Sequence, residues 1–287
     1  MKPKDFLTDK DEILHEYSLI PIHSASLSPP VPVNSTIAVG YEIYVIGGRT
    51  TRSSSVRILD CRSNTWRDAP NMLVARRSAN SVLLDQKIFV MGGCGKPDNW
   101  FEVFDIKTET WSVLPCHIAD LDVLFWRSIV VNAVQGKLYV VVDRKEYTYE
   151  PKSGTWEVTE NSYHLVGRCV IENVMYSHNY KGYLMWYDYE CRKWKEIKGL
   201  EKLRDESRVT GSIMLRMVNY GGNLVVVWSK RYREKDREIW KTEIWCAKIA
   251  LEKRVGGEIW GKTEWRNTVL TVPGLCDWFS GVAVVSV

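Results

Sequence analysis

No stretch of the 287 residues is apolar over the roughly eighteen consecutive positions that a membrane-spanning helix needs. The opening segment, MKPKDFLTDKDEILHEY, has charges where a secretory signal would have an apolar core. Both absences point to the cytoplasm or nucleus and away from a membrane. Cysteine lacks pattern: Cys61, Cys94, Cys116, Cys169, Cys191, Cys246 and Cys276 form an odd set with no CxxC pair. A regular disulfide framework is thereby excluded, and reduced structural thiols in a reducing compartment are expected. An excess of one charge is also missing. With 39 Lys and Arg against 35 Asp and Glu, the net charge of +4 gives no reason to expect a nucleic-acid partner. The five histidines, His15, His23, His117, His164 and His178, are far apart, so neither a metal nor another cofactor is expected.

What the sequence has in plenty is aromatic residues, thirteen Trp and fourteen Tyr, which favour strands because large flat side chains pack well on a pleated surface. They recur in register. LDCRSNTW (59–66), FDIKTETW (104–111), YEPKSGTW (149–156) and YDYECRKW (187–194) share one template: a bulky apolar residue, an acid, five variable positions and a tryptophan. Trp66, Trp111, Trp156 and Trp194 mark the repeat, at intervals of 45, 45 and 38 residues. Two glycine pairs, Gly47–Gly48 and Gly92–Gly93, end the β-branched runs EIYVIGG and KIFVMGG, the second glycine of each lying eighteen residues before its tryptophan. Each period holds about four short strands, one antiparallel sheet that cannot cover both of its faces alone and must stack on its neighbours.

The glycine pairs could in principle cradle a phosphate, but such a loop leads from a strand into a helix whose amides face the anion. GGRTTRSSSVRILD and GGCGKPDNWFEVFD lead from strand through loop to strand, so the glycines read as architecture.

These residues resemble the kelch repeat, and the chain as a whole resembles the kelch region of plant F-box/kelch-repeat proteins, in its proline-rich approach SLIPIHSASLSPPVPVNS and its ending VAVVSV. The resemblance implies an all-β propeller of about six blades of four antiparallel strands. Residues 1–33 would contribute to closure and 34–287 would form the propeller, with a closing blade assembled from both termini and possibly lacking strands. The glycines would permit positive φ and close backbone approach. Repeats three and four lack them, having Val142 and Asp143 at that place in the third. In the fifth, Gly221 and Gly222 precede the apolar run and read as a turn between the first two strands, with the fourth strand beginning near Trp265. The segment before the first clear strand lacks the amphipathic helices of an F-box, so ligase recruitment is not carried over.

Copper radical oxidases also use this propeller, but they need two His and two Tyr converging near the axis. Sialidase-type boxes share only a Thr-Trp ending with EPKSGTW. The expected function is non-catalytic binding of a protein partner by a monomer. A substrate receptor joined to a ubiquitin ligase through another surface and a small-molecule-binding or catalytic propeller stand as alternatives.

In receptors of this fold, partners dock on loops joining second to third strands and fourth strands to the next blade. That places Arg49, Arg52 and Ser54, then Asp98 and Trp100, then Arg144 and Lys145, then Arg231 and Arg233 on one face, with Arg76, Arg77, Phe125, Trp126 and Arg127 from inter-blade loops. The stretch SKRYREKDREIWKTE (229–243) reads either as a solvated loop or as a charged recognition loop. Phe125 and Trp126 either form an exposed hot spot with Arg127 or begin the next strand.

Overall fold

A computed structural model of the chain describes residues 34–95, 99–116, 129–142, 145–159, 165–179, 181–209, 215–233 and 240–274. The alternating segments fold into five antiparallel four-stranded sheets, each paired in chain order. Blade one contains β1 (Thr36–Val39), β2 (Glu42–Ile46), β3 (Val56–Asp60) and β4 (Thr65–Ala69). Blade two contains β5 (Asn80–Leu84), β6 (Lys87–Met91), β7 (Phe101–Asp105) and β8 (Thr110–Val113). Blade three has β9 (Ile129–Val134), β10 (Lys137–Val142), β11 (Lys145–Glu150) and β12 (Thr155–Thr159). Blade four has β13 (Leu165–Ile171), β14 (Val174–Asn179), β15 (Leu184–Asp188) and β16 (Lys193–Glu196). A helix, α1 (Glu201–Val209), precedes blade five, which comprises β17 (Leu215–Tyr220), β18 (Asn223–Arg233), β19 (Trp240–Lys253) and β20 (Ile259–Pro273).

First strands of successive blades pack on one another, β1 on β5, β5 on β9, β9 on β13 and β13 on β17, so the sheets radiate from a common axis as a β-propeller. The described residues make five blades rather than about six. The segments assigned to a composite closing blade, 1–33 and 280–287, lie outside them.

The repeat template acquires a physical meaning here. Its apolar residue and its tryptophan are direct cross-strand partners, Leu59 with Trp66, Phe104 with Trp111, Tyr149 with Trp156 and Tyr187 with Trp194. In the last three pairs the rings lie 5.0, 4.7 and 5.2 Å apart between centroids. The acid caps the turn between them. Asp60 Oδ1 accepts from the amides of Arg62 (2.9 Å) and Ser63 (3.3 Å), Asp105 Oδ1 from Lys107 (3.0 Å) and Thr108 (3.2 Å), and Asp188 Oδ1 from Glu190 (2.9 Å) and Cys191 (3.3 Å). The Arg62 side chain holds the Asp60 carboxyl at about 2, and the Lys195 ammonium, 2.6 Å from Asp188, holds that carboxyl well below the usual range. The variable positions just before each tryptophan strand include a left-handed residue, Asn64, Glu109, Gly154 or Arg192, that lets the chain reverse.

The tryptophans also join blades. Trp111 Nε1 donates to the Pro70 carbonyl beyond β4 (2.8 Å), and Trp156 Nε1 donates to the Pro115 carbonyl beyond β8 (3.3 Å). Apolar side chains fill the seams: Tyr44, Ile46 and Ile58 meet Ile88, Val90 and Phe104 between blades one and two, and Phe89 and Phe101 meet Leu138 and Tyr149 between blades two and three.

Blade five departs from the expected boundaries. Gly221 and Gly222 both take positive φ in the β17–β18 turn, as the sequence indicates. Its fourth strand, however, begins at Ile259 and not near Trp265, which pairs with Lys248 in mid-strand. The β18–β19 ladder runs as far as Arg233 and Trp240, so residues 229–233 and 240–243 of the charged stretch are strand and not loop. Residues 234–239 lie outside the described residues.

Candidate functional site

Antiparallel order places the connections after second and fourth strands together on one face, and at blades one and two they are welded into a platform. Gly47 takes positive φ (71°) at the end of β2, and a Cβ on Gly48 would overlap the Thr51 carbonyl. The glycine pair therefore lets the loop 49–55 fold back and the inter-blade segment 70–79 lie against it. The Ser53 amide donates to the Arg76 carbonyl (3.0 Å), the Arg76 amide to the Ser53 carbonyl (2.9 Å), the Gly48 amide to the Arg76 carbonyl (3.0 Å) and the Ser78 amide to the Gly48 carbonyl (2.8 Å). Blade two joins through its own glycines: the Arg77 amide donates to the Gly93 carbonyl (3.0 Å), where a Cβ would meet the Arg77 carbonyl at 2.5 Å. Both pairs thus serve close approach of neighbouring backbone, as the resemblance to the kelch repeat implies.

Arg76 fastens this assembly from within. Its side chain is 0% exposed, and Nη2 meets Glu102 Oε1, also 0% exposed, at 2.6 Å. Nε donates to the same carboxylate (3.2 Å), Nη1 to the carbonyls of Gly92 (2.7 Å) and Trp100 (3.0 Å), and Nη2 to that of Asn99 (2.6 Å). The other Glu102 oxygen accepts the Leu73 amide (2.9 Å). A buried guanidinium whose donors all find acceptors, opposite a carboxylate with both oxygens engaged, is the arrangement in which a buried ion pair persists. Arg76 is accordingly a structural residue and not a surface contact. Trp100 is corrected likewise: at 6% exposure it packs with Phe101 and Ile129 in the seam of blades two and three.

The side chains left at the surface of the platform are Arg52, exposed, with Arg49 and Arg77, half-buried. Arg52 reaches across to blade two, its guanidinium lying over Gly95 so closely that a Cβ there would overlap it. Ser54 is half-buried, and its carbonyl accepts the Met72 amide (2.8 Å). Leu73, anchored through its amide to Glu102, leaves its side chain 59% exposed. Nothing in the sequence marks this residue, because one leucine in an aperiodic loop has no pattern to betray it. Elsewhere on the face Lys145 is exposed as the first residue of β11, and Arg231 and Arg233 stand on β18 opposite Thr242 and Trp240. Asp98, Phe125, Trp126, Arg127 and Arg144 lie outside the described residues. Of the histidines, His178 is buried on β14 and the other four lie outside the described residues.

Radial four-stranded blades around an axis, with long loops gathered on one face, define a β-propeller scaffold. The FKB95, Kelch-repeats domain model matches residues 1–270. The chain is 52% identical over 314 residues to F-box/kelch-repeat protein At5g39560 of Arabidopsis thaliana, covering 100% of this chain and 75% of that protein. It is 41% identical to F-box/kelch-repeat protein At4g19870 (90% and 66% covered) and 39% identical to F-box/kelch-repeat protein At4g29370 (88% and 68%), both of the same plant. The chain belongs to the F-box/kelch-repeat family and carries its kelch-repeat propeller.

Proposed function

We propose that this propeller is a non-catalytic protein-interaction module of the cytoplasm or nucleus, and that its partner docks on the platform of blades one and two. The observation that carries this reading is the contrast between Arg76, wholly internal, and Arg49, Arg52, Leu73 and Arg77, which the same polar knot holds at the surface. A leucine among arginines on a rigid base suits a partner surface with an apolar anchor and acidic neighbours, at little ordering cost on binding. Affinity purification of the intact protein beside an Arg52→Glu/Leu73→Asp variant tests it: partners recovered with the parent should be depleted from the variant. Equal recovery by both would remove the platform from the account.

A second reading is favoured by the names of the relatives, all F-box/kelch-repeat proteins. In it the propeller is the substrate receptor of a ubiquitin ligase. Cullin-ligase subunits recovered in stoichiometric amount would select this reading, and their absence from a preparation that retains other partners would select the simpler one.

A further inference from the structure

The seams between blades one and two, two and three, and four and five each hold a buried apolar cluster contributed from both sides. Among the described residues no such cluster spans the seam between blades three and four. Strand register accounts for the difference. Asn132, Tyr139 and Thr148 are direct neighbours across β9, β10 and β11, so they stand on one face of blade three, and Glu146, two residues before Thr148, shares that face. Arg168 of β13 and its cross-strand partner Ser177 of β14 form the opposing wall on blade four. Across the seam Arg168 Nη1 donates to Glu146 Oε1 (2.8 Å) and Nη2 to Oε2 (3.3 Å), with the two side chains 3% and 8% exposed. The Tyr139 ring meets that of Tyr189, just beyond β15, edge-on at 6.5 Å.

This seam is polar where the others are apolar, and it is incompletely paired. Asn132, Glu146, Thr148 and Ser177 are all buried, yet Asn132 Nδ2 and Thr148 Oγ1 meet no partner among the described residues. Burial strips such an atom of its hydration, and without a new hydrogen bond nothing offsets the loss, so each weakens the seam relative to an apolar group of the same shape. The ion pair adds little net cohesion, because desolvation of two charges opposes their attraction. The knot at Arg76 differs, since its guanidinium also reaches three backbone carbonyls and an apolar cluster lies in the same seam. The tryptophan latch is replaced as well. Trp111 and Trp156 donate to carbonyls of the segments leaving the preceding blades, whereas Trp194 lies under the Arg168 guanidinium, 5.4 Å from its ring centroid.

We infer that, of the four seams the described residues form, the propeller parts first at the one between blades three and four, with blades one to three as one rigid unit and blades four and five as the other. Opening there precedes global unfolding and uncovers Asn132, Glu146, Thr148 and Arg168. The loop platform lies wholly within the first unit, so it survives the opening, and the two readings stand or fall separately.

Cysteine labelling of the intact folded protein tests this. Thr148→Cys and Ser177→Cys place one thiol on each wall of the seam, and the first exchanges an unpartnered hydroxyl for a group that needs no partner, so it should fold as well as the parent. Native Cys94, in the cluster of blades two and three, and Cys169, in that of blades four and five, serve as internal controls. Iodoacetamide labelling is resolved by peptide mass spectrometry, each rate being divided by that of the same thiol in the unfolded chain. Both introduced thiols should label at least about tenfold faster than Cys94 and Cys169. Adding Asn132→Val to Thr148→Cys should slow labelling in the seam about fivefold or more and leave both controls within about twofold. Introduced thiols that label no faster than the controls, labelling of one wall without the other, or a rate unchanged by Asn132→Val would overturn the inference.

Discussion

The seam between blades one and two and the seam between blades four and five solve one problem with different chemistry. At the first, an inter-blade segment crosses over glycine backbone and is fastened by a buried guanidinium, Arg76, with Glu102 and three carbonyls as its partners. At the second, the chain leaving β16 turns outward instead. Lys198 bridges in parallel to Trp260, with its amide on the Ile259 carbonyl (3.1 Å) and its carbonyl accepting the Gly261 amide (2.8 Å). Leu200, just before helix α1, and Leu203 within it then join a cluster with Trp228, Val226 and Ile259. One seam is a polar knot under a thin covering of backbone, and the other is an apolar wedge. The difference matters for function. A polar knot fixes backbone geometry at hydrogen-bond precision and keeps its outer side chains at the surface, whereas a wedge uses its side chains up in packing.

Substitutions at the two seams should separate these mechanisms. The largest effect is expected from Arg76→Met, which leaves the Glu102 carboxylate buried without its cation. Denaturant unfolding should show a loss of about 3–5 kcal/mol. Adding Glu102→Leu should restore part of it and not all, because the carbonyls of Gly92, Trp100 and Asn99 remain without their donor. Full restoration would show that the knot acts as a simple ion pair.

Leu203→Ala at the wedge should cost about 2–4 kcal/mol through the cavity it opens. No charged group is stranded there, so a volume-conserving Leu203→Met should be nearly silent, and the reaction rate of buried Cys169, whose thiol burial pushes up to about 12, should rise with alkylating agent in the alanine variant alone. If Leu203→Met were as damaging as alanine, the wedge would depend on shape more finely than the comparison allows.

A smaller effect belongs to the tryptophan latches. Trp111→Phe keeps the ring against Phe104 and removes the bond to Pro70, for about 1 kcal/mol. Trp156→Phe, whose bond to Pro115 is longer, should cost less. Smallest of all are the turn carboxylates. Their folded values are depressed, so the stability they contribute is present above the ordinary carboxylate value near pH 4 and is lost as pH falls through the folded value, about 2 for Asp60. Asp60→Asn should flatten the acid limb of the stability profile between about pH 4 and 2, and an unchanged limb would show that other groups carry it.

Blade number apart, the propeller was legible because its repeat is dictated by local chemistry: an acid that caps a turn, a left-handed residue, and an aromatic pair across two strands. Such features recur at fixed spacing. The expectation of about six blades rested on terminal segments, 1–33 and 280–287, that lie outside the described residues. Helix α1 is hard to read from the sequence because, among its described side chains, only Leu203 is apolar and buried, within a charged run. The long strands of blade five escaped because alternating Lys, Arg and Glu at 230–243 have the composition of a loop, and pairing overrides composition once β18 and β19 are aligned by the ladder beneath. The candidate face was legible in position and not in which side chains it exposes. Loop position indicated that Arg49, Arg52 and Arg77 lie on one face, where the structure has them, but nothing in the letters distinguishes Arg76 from Arg77. One turns inward to a carboxylate 26 residues away, and only the fold decides which.

The most direct test of the account concerns that division between inner and outer arginines. Affinity for a purified partner would be measured for the parent, for Arg52→Glu/Leu73→Asp on the platform, and for Lys107→Glu/Lys152→Glu on exposed turns of the opposite face. The platform variant should bind at least about tenfold more weakly and the opposite-face variant within about twofold of the parent. A partner that tolerates the platform variant but is lost with the opposite-face variant would contradict the account.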